Sequence, residues 1–205
     1  MRRGAPGRSG RLAGAVRIAA GRWKGRRLEF SGQTRPTSGR ARAALFDILQ
    51  KRLPGARLLD LYAGSGAVGI EAVSRGAARA VLVEASPAHL EKTLRRLVPE
   101  EGAVEILRLQ ASSAIAELAR RGERFEIVFV DPPYADEIDP GTVSGAAHLL
   151  TSDGTLVLQT DAEASAPATP DGLVLTDRRA YGRNVFWFLR SARAEPRRTA
   201  KSDAF

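Results

Sequence analysis

An acid, two prolines and a tyrosine close one apolar run of this chain: Phe125 to Val130 leads directly into Asp131-Pro132-Pro133-Tyr134. A turn built only to turn would more cheaply use Gly or Asn. The prolines fix φ and remove two backbone donors, so the carbonyls there stay free to accept. Asp131 and the carbonyl of Pro132 can both accept from one NH2 group. That pairing suits an exocyclic amine, whose lone pair is delocalised into its base and which must be oriented before it can attack a methyl group. Tyr134 adds a face on which a base can stack. Orientation and approach would supply most of the rate gain, and no metal is required.

A second stretch, Asp60-Leu-Tyr-Ala-Gly-Ser-Gly-Ala-Val-Gly69, contains G-x-G-x-x-G, and Glu84 follows 20 residues after Gly64. Both features fit a dinucleotide fingerprint. Asp60 argues against it, because a carboxylate beside that loop would repel a pyrophosphate. A cofactor that is cationic at that end is the better match. S-adenosylmethionine carries an ammonium and a sulfonium, and Glu84 can accept both of its ribose hydroxyls. Ala63, Gly64, Ser65 and Gly66 then form the loop that the cofactor approaches, with Ala85 beside Glu84.

These residues need a scaffold that brings two distant loops together. From residue 57 the chain alternates strand and helix: RLLDLYA, AVGIEAVSRG, AVLVEA, SPAHLEKTLRRL, AVEILRL, SSAIAELARRG, FEIVFV, a helix over 139–150, then GTLVLQT. Ser86 is placed as an N-cap, with Pro87 at the first helical position. Alternation implies right-handed crossovers and a parallel sheet covered on both faces. GLVLTDRRAYG and NVFWFLR then follow across a short turn, which puts an antiparallel strand into that sheet. Ligands of such sheets bind outside the carboxyl ends of the strands, at the switch point. The fourth strand lies beside the first in the usual order, so Asp131 and Asp60 should open onto one pocket.

The N-terminal side carries the charge. Residues 1–42 hold twelve Arg or Lys against Glu29, a net +11, while the whole chain is +9. The rest therefore sums to −2. Arginine presents a planar fork suited to phosphate. Two short strands are expected over 15–20 and 26–30, and a helix from about Gly39 to Leu53, ended by Pro54-Gly55. The expected organisation is a loose basic tail over 1–14, a hairpin-and-helix appendage over 15–53, an α/β domain over 54–190 and a second tail over 191–205. There is no cysteine among the 205 residues. Disulfides, thiolate metal sites and cysteine nucleophiles are excluded, which disfavours methyl transfer to pyrimidine C5. His89 and His148 lack metal-ligand spacing, so no metal is expected. The apolar runs are too short for a membrane span, and no apolar segment of a secretory signal follows the basic start. A cytoplasmic location is expected.

In this arrangement the chain resembles the RsmD family of bacterial 16S rRNA (guanine-N2)-methyltransferases over roughly Arg17 to Arg190. The resemblance rests on RIAAGRWKGRRL, TRPTSGRARAALFDIL, LLDLYAGSGAVGIEAVSRGA, VFVDPPY and YGRNVFWF. It implies a class I, Rossmann-like fold dependent on S-adenosylmethionine, with a seven-stranded, mostly parallel sheet, a C-terminal antiparallel hairpin and a small N-terminal β-hairpin. It also implies methylation of one guanine N2 in 16S rRNA within the 30S subunit or a late assembly intermediate, by a monomer. Asp60, Gly64, Gly66 and Glu84 would hold the cofactor, with Arg35, Pro36 and Thr37 against its pocket. Asp131, Pro132, Pro133 and Tyr134 would handle the base. Arg17, Arg22, Trp23, Lys24, Arg26, Arg27 and Arg40 would meet RNA. Gly39 and Ala43 stand where the family often has Asp and Glu. Ser112 and Ser113 occupy the stretch where an Asp or Asn commonly sits near the adenine, and a serine hydroxyl can accept from the adenine amine. DNA amino-methyltransferases share D-P-P-Y but usually carry a target-recognition segment for which this chain has no room. An NAD-dependent oxidoreductase and a non-enzymatic RNA-binding module are further alternatives. The first conflicts with Asp60, and the second leaves Asp131 to Tyr134 without a role.

Overall fold

The computed structural model describes residues 12–31, 37–97, 102–132 and 139–192. Its elements are β1 (Leu12–Arg17), β2 (Arg27–Ser31), α1 (Gly39–Leu49), β3 (Arg57–Leu61), α2 (Ala67–Ser74), β4 (Arg79–Val83) and α3 (Ala88–Leu97). There follow β5 (Val104–Leu107), α4 (Ala111–Arg120), β6 (Phe125–Val130), α5 (Pro140–His148), β7 (Leu150–Asp161), β8 (Leu173–Tyr181) and β9 (Asn184–Ser191).

Seven strands form one sheet in the order β5-β4-β3-β6-β7-β9-β8. β5, β4, β3, β6 and β7 run parallel, and β9 inserts antiparallel between β7 and β8. Strands buried on both faces read as continuous apolar runs, which is why β3, β4 and β6 were legible. Successive residues still part to opposite sides. Leu58, Leu82, Ile127, Phe129 and Phe186 join a core with α1 and α2. Leu59, Leu61, Val81, Val83, Val128 and Val130 join a second core with α4 and α5. The switch point falls at β3, between crossovers to β4 on one side and β6 on the other.

The register aligns the strand ends. Leu61 pairs with Val83 and Val130, Val83 with Leu107, and Val130 with Leu158. The next residue on each of four strands is therefore Tyr62, Glu84, Asp131 and Gln159. A flush row of apolar residues is followed by a row of polar ones.

The two-stranded sheet β1-β2 differs from expectation in its bounds. β1 begins at Leu12, inside the stretch expected as a loose tail, and ends at Arg17. Residues 18–26 form a loop that docks on α2 instead of extending either strand. Its apolar residues Ile18 and Trp23 belong to the first core, so their burial is tertiary and carries no strand signal. Helix α3 starts at Ala88. The Pro87 carbonyl accepts its first bond, from Glu91, so Pro87 rather than Ser86 occupies the cap position. Of the tails expected over 1–14 and 191–205, residues 1–11 and 193–205 lie outside the described residues, and Ser191 belongs to β9. Among the described residues no helix is long and apolar enough to cross a membrane.

Candidate cofactor and base site

The β3–α2 turn is shaped from beneath by Asp60. Its side chain is 2% exposed, and Oδ2 accepts from the backbone N–H of Gly69 at 3.0 Å. A Cβ on Gly69 would meet Leu82 Cδ2 at 2.0 Å and come within 3.4 Å of Asp60 Oδ2. Gly69 therefore lets α2 sit close on β4 while its amide reaches the carboxylate. Burial pushes the Asp60 carboxyl up to about 8, Gly69 draws it back, and the nearby Asp131 and Glu84 push it further up. Tyr62 follows β3 with φ 67, a left-handed conformation that costs a non-glycine residue on the order of 1 kcal/mol.

At the end of β4, both Glu84 oxygens hold backbone amides: Oε2 takes Gly64 N–H at 2.9 Å and Oε1 takes Ser86 N–H at 3.0 Å. Each carboxylate oxygen has a second acceptor site. The carboxylate is thus oriented by its own loop and still able to accept a diol.

At the end of β6, Asp131 is half-buried, and burial pushes its carboxyl up to about 7 against the lowering hydrogen bond from Thr37. Thr37 Oγ1 lies 3.2 Å from Asp131 Oδ2 and 3.2 Å from Gln159 Oε1. Gln159 Nε2 donates to Asn184 Oδ1 at 3.1 Å.

One cavity of about 510 Å3 joins these groups. That volume lies in the usual range for small-molecule and cofactor sites. Of the residues expected at a cofactor, Thr37, Asp60, Ala63, Gly64, Ser65, Glu84 and Ala85 line it, and so do Asp131 and Pro132. Arg35, Pro36, Pro133 and Tyr134 lie outside the described residues. Three expectations need correction. Gly66 does not line the cavity: it precedes α2 with φ 73, and a Cβ there would meet Leu90 and Ile70. Ser112 and Ser113 do not line it either. Helix α4 starts at Ala111, which turns both serines outward to solvent, and Gln110 stands at the cavity instead. The sequence reading also missed Tyr62, Phe129, Gln159 and Asn184, all on the cavity wall.

The basic residues divide by burial. Arg17, Arg22, Lys24, Arg26, Arg27 and Arg40 are exposed. Arg17 Nη1 donates to the Gly25 carbonyl at 2.9 Å, and Arg26 Nη1 donates to the Leu97 carbonyl at the end of α3. Trp23, expected to meet RNA, is 3% exposed and belongs to the core, with Arg22 over its ring at 4.4 Å. An indole wedged between the loop and α2 cannot stack on a base. The backbone N–H of Trp23 donates to Ser74 Oγ at 3.0 Å, and that of Arg22 donates to the Ser74 carbonyl at 2.8 Å.

The chemistry assembled is specific. Four carboxyl groups line the cavity, Asp60, Glu84, Asp131 and Asp161, with Arg183 paired to Asp161, and this acid-rich wall suits a cationic, hydroxyl-bearing ligand and disfavours a polyphosphate. Comparison with known proteins agrees. The family model described as "Conserved hypothetical protein 95" matches residues 16–190. The chain is 33% identical over 199 residues to Ribosomal RNA small subunit methyltransferase D of Escherichia coli (strain K12), covering 93% of this chain and 96% of that relative. A solved structure of a hypothetical protein from a Thermus species superposes with TM-score 0.72 at 36% identity, over 85% of this chain and 99% of the other. A SAM-dependent methyltransferase from Agrobacterium tumefaciens, 16% identical, shares the fold with TM-score 0.58 over 80% of this chain and 67% of its own. With the strand-end acids in place and the match running almost end to end, the chain belongs to the Conserved hypothetical protein 95 family, the RsmD family that its motifs resemble.

Proposed function

We propose that this protein transfers a methyl group from S-adenosylmethionine to the exocyclic N2 of a guanine in 16S rRNA, acting as a monomer on the 30S subunit or a late assembly intermediate. The observation that carries the reading is the placement of Asp131 on the same cavity as Asp60 and Glu84. A family relative named as an rRNA small subunit methyltransferase supports RNA as the substrate class. The cofactor supplies, when bound, a methyl group on a sulfonium that departs as a neutral thioether. Asp131 and the Pro132 carbonyl accept the N–H bonds of the target amine and aim its lone pair. Asp131 then takes the proton that the nitrogen sheds on gaining the methyl group. Glu84 holds the ribose hydroxyls, Asp60 faces the cationic end, and Gln110 takes the adenine-side contact first assigned to Ser112 and Ser113. The test is labelled-methyl transfer to undermethylated 30S particles, naked rRNA and duplex DNA in parallel. Transfer to 30S particles is expected, and transfer confined to DNA would overturn the reading.

Calorimetry checks the cofactor half alone. S-adenosylmethionine should bind and NAD should not. Glu84→Ala should weaken binding by roughly 1.5–3 kcal/mol, the worth of hydrogen bonds to a charged group. A cationic ligand favours the ionised forms of Asp60 and Asp131, whose carboxyls are raised to about 8 and about 7. Binding near neutral pH should therefore release protons, and affinity should rise as pH climbs through that window. An affinity that is flat from pH 6 to about 9 would remove the acids from the cationic end.

Replacing Arg22, Lys24, Arg26 and Arg27 together by Ala should weaken RNA binding and flatten its salt dependence, since each phosphate contact releases counterions. Cofactor affinity should be unchanged. A salt slope equal to that of the parent protein would make these side chains ordinary solvated surface.

A further inference from the structure

Asp131 begins a chain of four side chains, and methyl transfer as described above leaves the other three without a role. It runs Asp131, Thr37, Gln159, Asn184, with links of 3.2, 3.2 and 3.1 Å. All four line the cavity, and Thr37 and Gln159 are each 6% exposed. They come from four places in the sequence: the approach to α1, the end of β6, the end of β7 and the start of β9. Thr37 is itself held, because its carbonyl accepts from Arg42 Nη1 at 3.3 Å.

The middle of this chain has a proton to spare for only one neighbour. A threonine hydroxyl has one hydrogen. Here it stands between two acceptors, a carboxylate oxygen and an amide oxygen. If Asp131 is neutral, its Oδ2–H donates to Thr37, Thr37 donates to Gln159 Oε1, and Gln159 Nε2 donates to Asn184 Oδ1. Every group is then satisfied. If Asp131 is ionised, Thr37 must donate to it, and Gln159 Oε1 loses its donor. Satisfaction returns when the two amides turn over, so that Asn184 donates to Gln159, Gln159 to Thr37, and Thr37 to Asp131. An amide reverses its donor and acceptor ends in nearly the same volume. Each charge state of Asp131 thus has one self-consistent polarity of the chain. A buried group left unpaired costs about 1–3 kcal/mol, so the polarity and the charge are coupled.

We infer that Gln159 and Asn184 act through Thr37 as positioning residues for Asp131: the relay holds Oδ2, presents Oδ1 to the target amine, and reverses polarity when Asp131 gains or loses its proton. The inference rests on the methyl-transfer reading and adds to it the device that lets one carboxylate first accept an amine hydrogen bond and then keep a proton. The other ionisable or charged groups on the cavity wall are Asp60 from β3, Tyr62, Glu84 beyond β4, and Asp161 and Arg183 from the β7 end and the β8–β9 turn. Arg42 of α1 reaches the relay only through the Thr37 carbonyl. None of these lies within the chain, so its middle links can be altered while they stay.

The two middle links predict opposite effects. Thr37→Val removes the donor that favours ionised Asp131, so its titration midpoint should rise. Gln159→Leu leaves the buried Thr37 hydrogen without an acceptor in the neutral state, whereas in the ionised state it removes only a second bond to a hydroxyl that already donates to Asp131, so the midpoint should fall. Each shift should be at least about half a pH unit. Thr37→Ser keeps the hydroxyl and should restore the parent value. The measurement is carboxyl 13C NMR against pH on the full chain without cofactor or RNA, in an Asp60→Asn background so that the neighbouring acid does not titrate. Gln159→Met serves as a second variant should Gln159→Leu unfold. The acid limb of the single-turnover rate in the Asp60 parent should move in the same two directions, with KM for RNA nearly constant. Opposite shifts carry the proposal. Midpoints that stay put, or move the same way, overturn it. Because the titration needs no substrate, its failure is distinct from a failure to methylate RNA.

Discussion

Asp131→Ala should lower the single-turnover methylation rate on 30S particles by about 10²-fold or more, with RNA and cofactor affinity nearly unchanged. The size follows from what is lost. A positioned acceptor that acts as the nitrogen becomes nucleophilic typically supplies on the order of 10²–10⁴ in rate. Asp131 contacts Thr37 within the protein, and an alanine leaves Thr37 free to donate to Gln159 instead. The ground state of the variant is therefore well satisfied, and the deficit should fall on the transition state. Kinetically, kcat and kcat/KM should drop together. The neighbouring Asp60 sharpens the contrast. Asp60→Ala removes a partner of Gly69 N–H and deforms the β3–α2 turn, so it should raise the cofactor Kd as well as slow the reaction. Isothermal titration and rapid-quench assays on the two variants separate these roles. A normal rate for Asp131→Ala would place the chemistry elsewhere.

The centre of the sheet was legible because β3, β4 and β6 are buried on both faces and bounded by glycine, proline and helix caps. The cavity was partly legible for the same reason. Once β3 and β6 are adjacent, Asp60, Glu84 and Asp131 must meet, because parallel strands in register end together. The same logic held a signal that went unused. Gln159-Thr160-Asp161 closes β7 just as Asp131 closes β6, and a glutamine after Leu156-Val157-Leu158 is a polar residue at the carboxyl end of a central strand. Asn184 was harder. It begins β9, which runs antiparallel, so its start lies at the carboxyl end of β7, where Asp161 pairs with Asn184. No spacing rule connects it to Gln159.

The misreading of Trp23 has a different cause. Trp23 stands among exposed basic residues, and its neighbours in sequence suggested solvent and RNA. Its real environment is α2, 51 positions away, as the Trp23–Ser74 contact shows. Arg42, a cation of the same +11 segment that was not expected at RNA, is turned to α2 as well, where it meets Glu71. Local charge cannot reveal a partner at that distance. The hint lay in α2 itself, where Glu71 interrupts an otherwise apolar helix and needs a cation to be buried.

Glu71→Ala should cost about 3–5 kcal/mol of stability, the usual effect of removing one partner from a buried ion pair. Arg42 Nε and Glu71 Oε2 are 2.8 Å apart, with side chains 1% and 0% exposed. Glu71 also accepts from Arg75 through Nε and Nη2, at 2.9 and 2.7 Å, and from Ala19 N at 3.3 Å. Arg42 reaches the Arg17 carbonyl at 2.6 Å and the Thr37 carbonyl at 3.3 Å. The pair therefore ties together the β1–β2 loop, α1, α2 and the wall of the cavity. Alanine would leave a guanidinium buried without its counter-ion and an amide without its acceptor. Denaturant melts followed by circular dichroism should show the midpoint falling with little change in m. A double replacement, Arg42→Met with Glu71→Leu, removes both charges and keeps the volume, so it should recover much of the core stability. It cannot recover the bonds to Ala19 N and the Arg17 and Thr37 carbonyls. The double variant should thus fold near parent stability yet bind RNA more weakly, because its basic loop is less firmly held. Gly21 tightens that dependence: a Cβ there would come within 1.8 Å of the Ser74 carbonyl oxygen, so the loop has one close seat on α2. If Glu71→Ala lost under about 1 kcal/mol, the pair would be solvated in solution and the loop would be held by Trp23 and Ser74 alone.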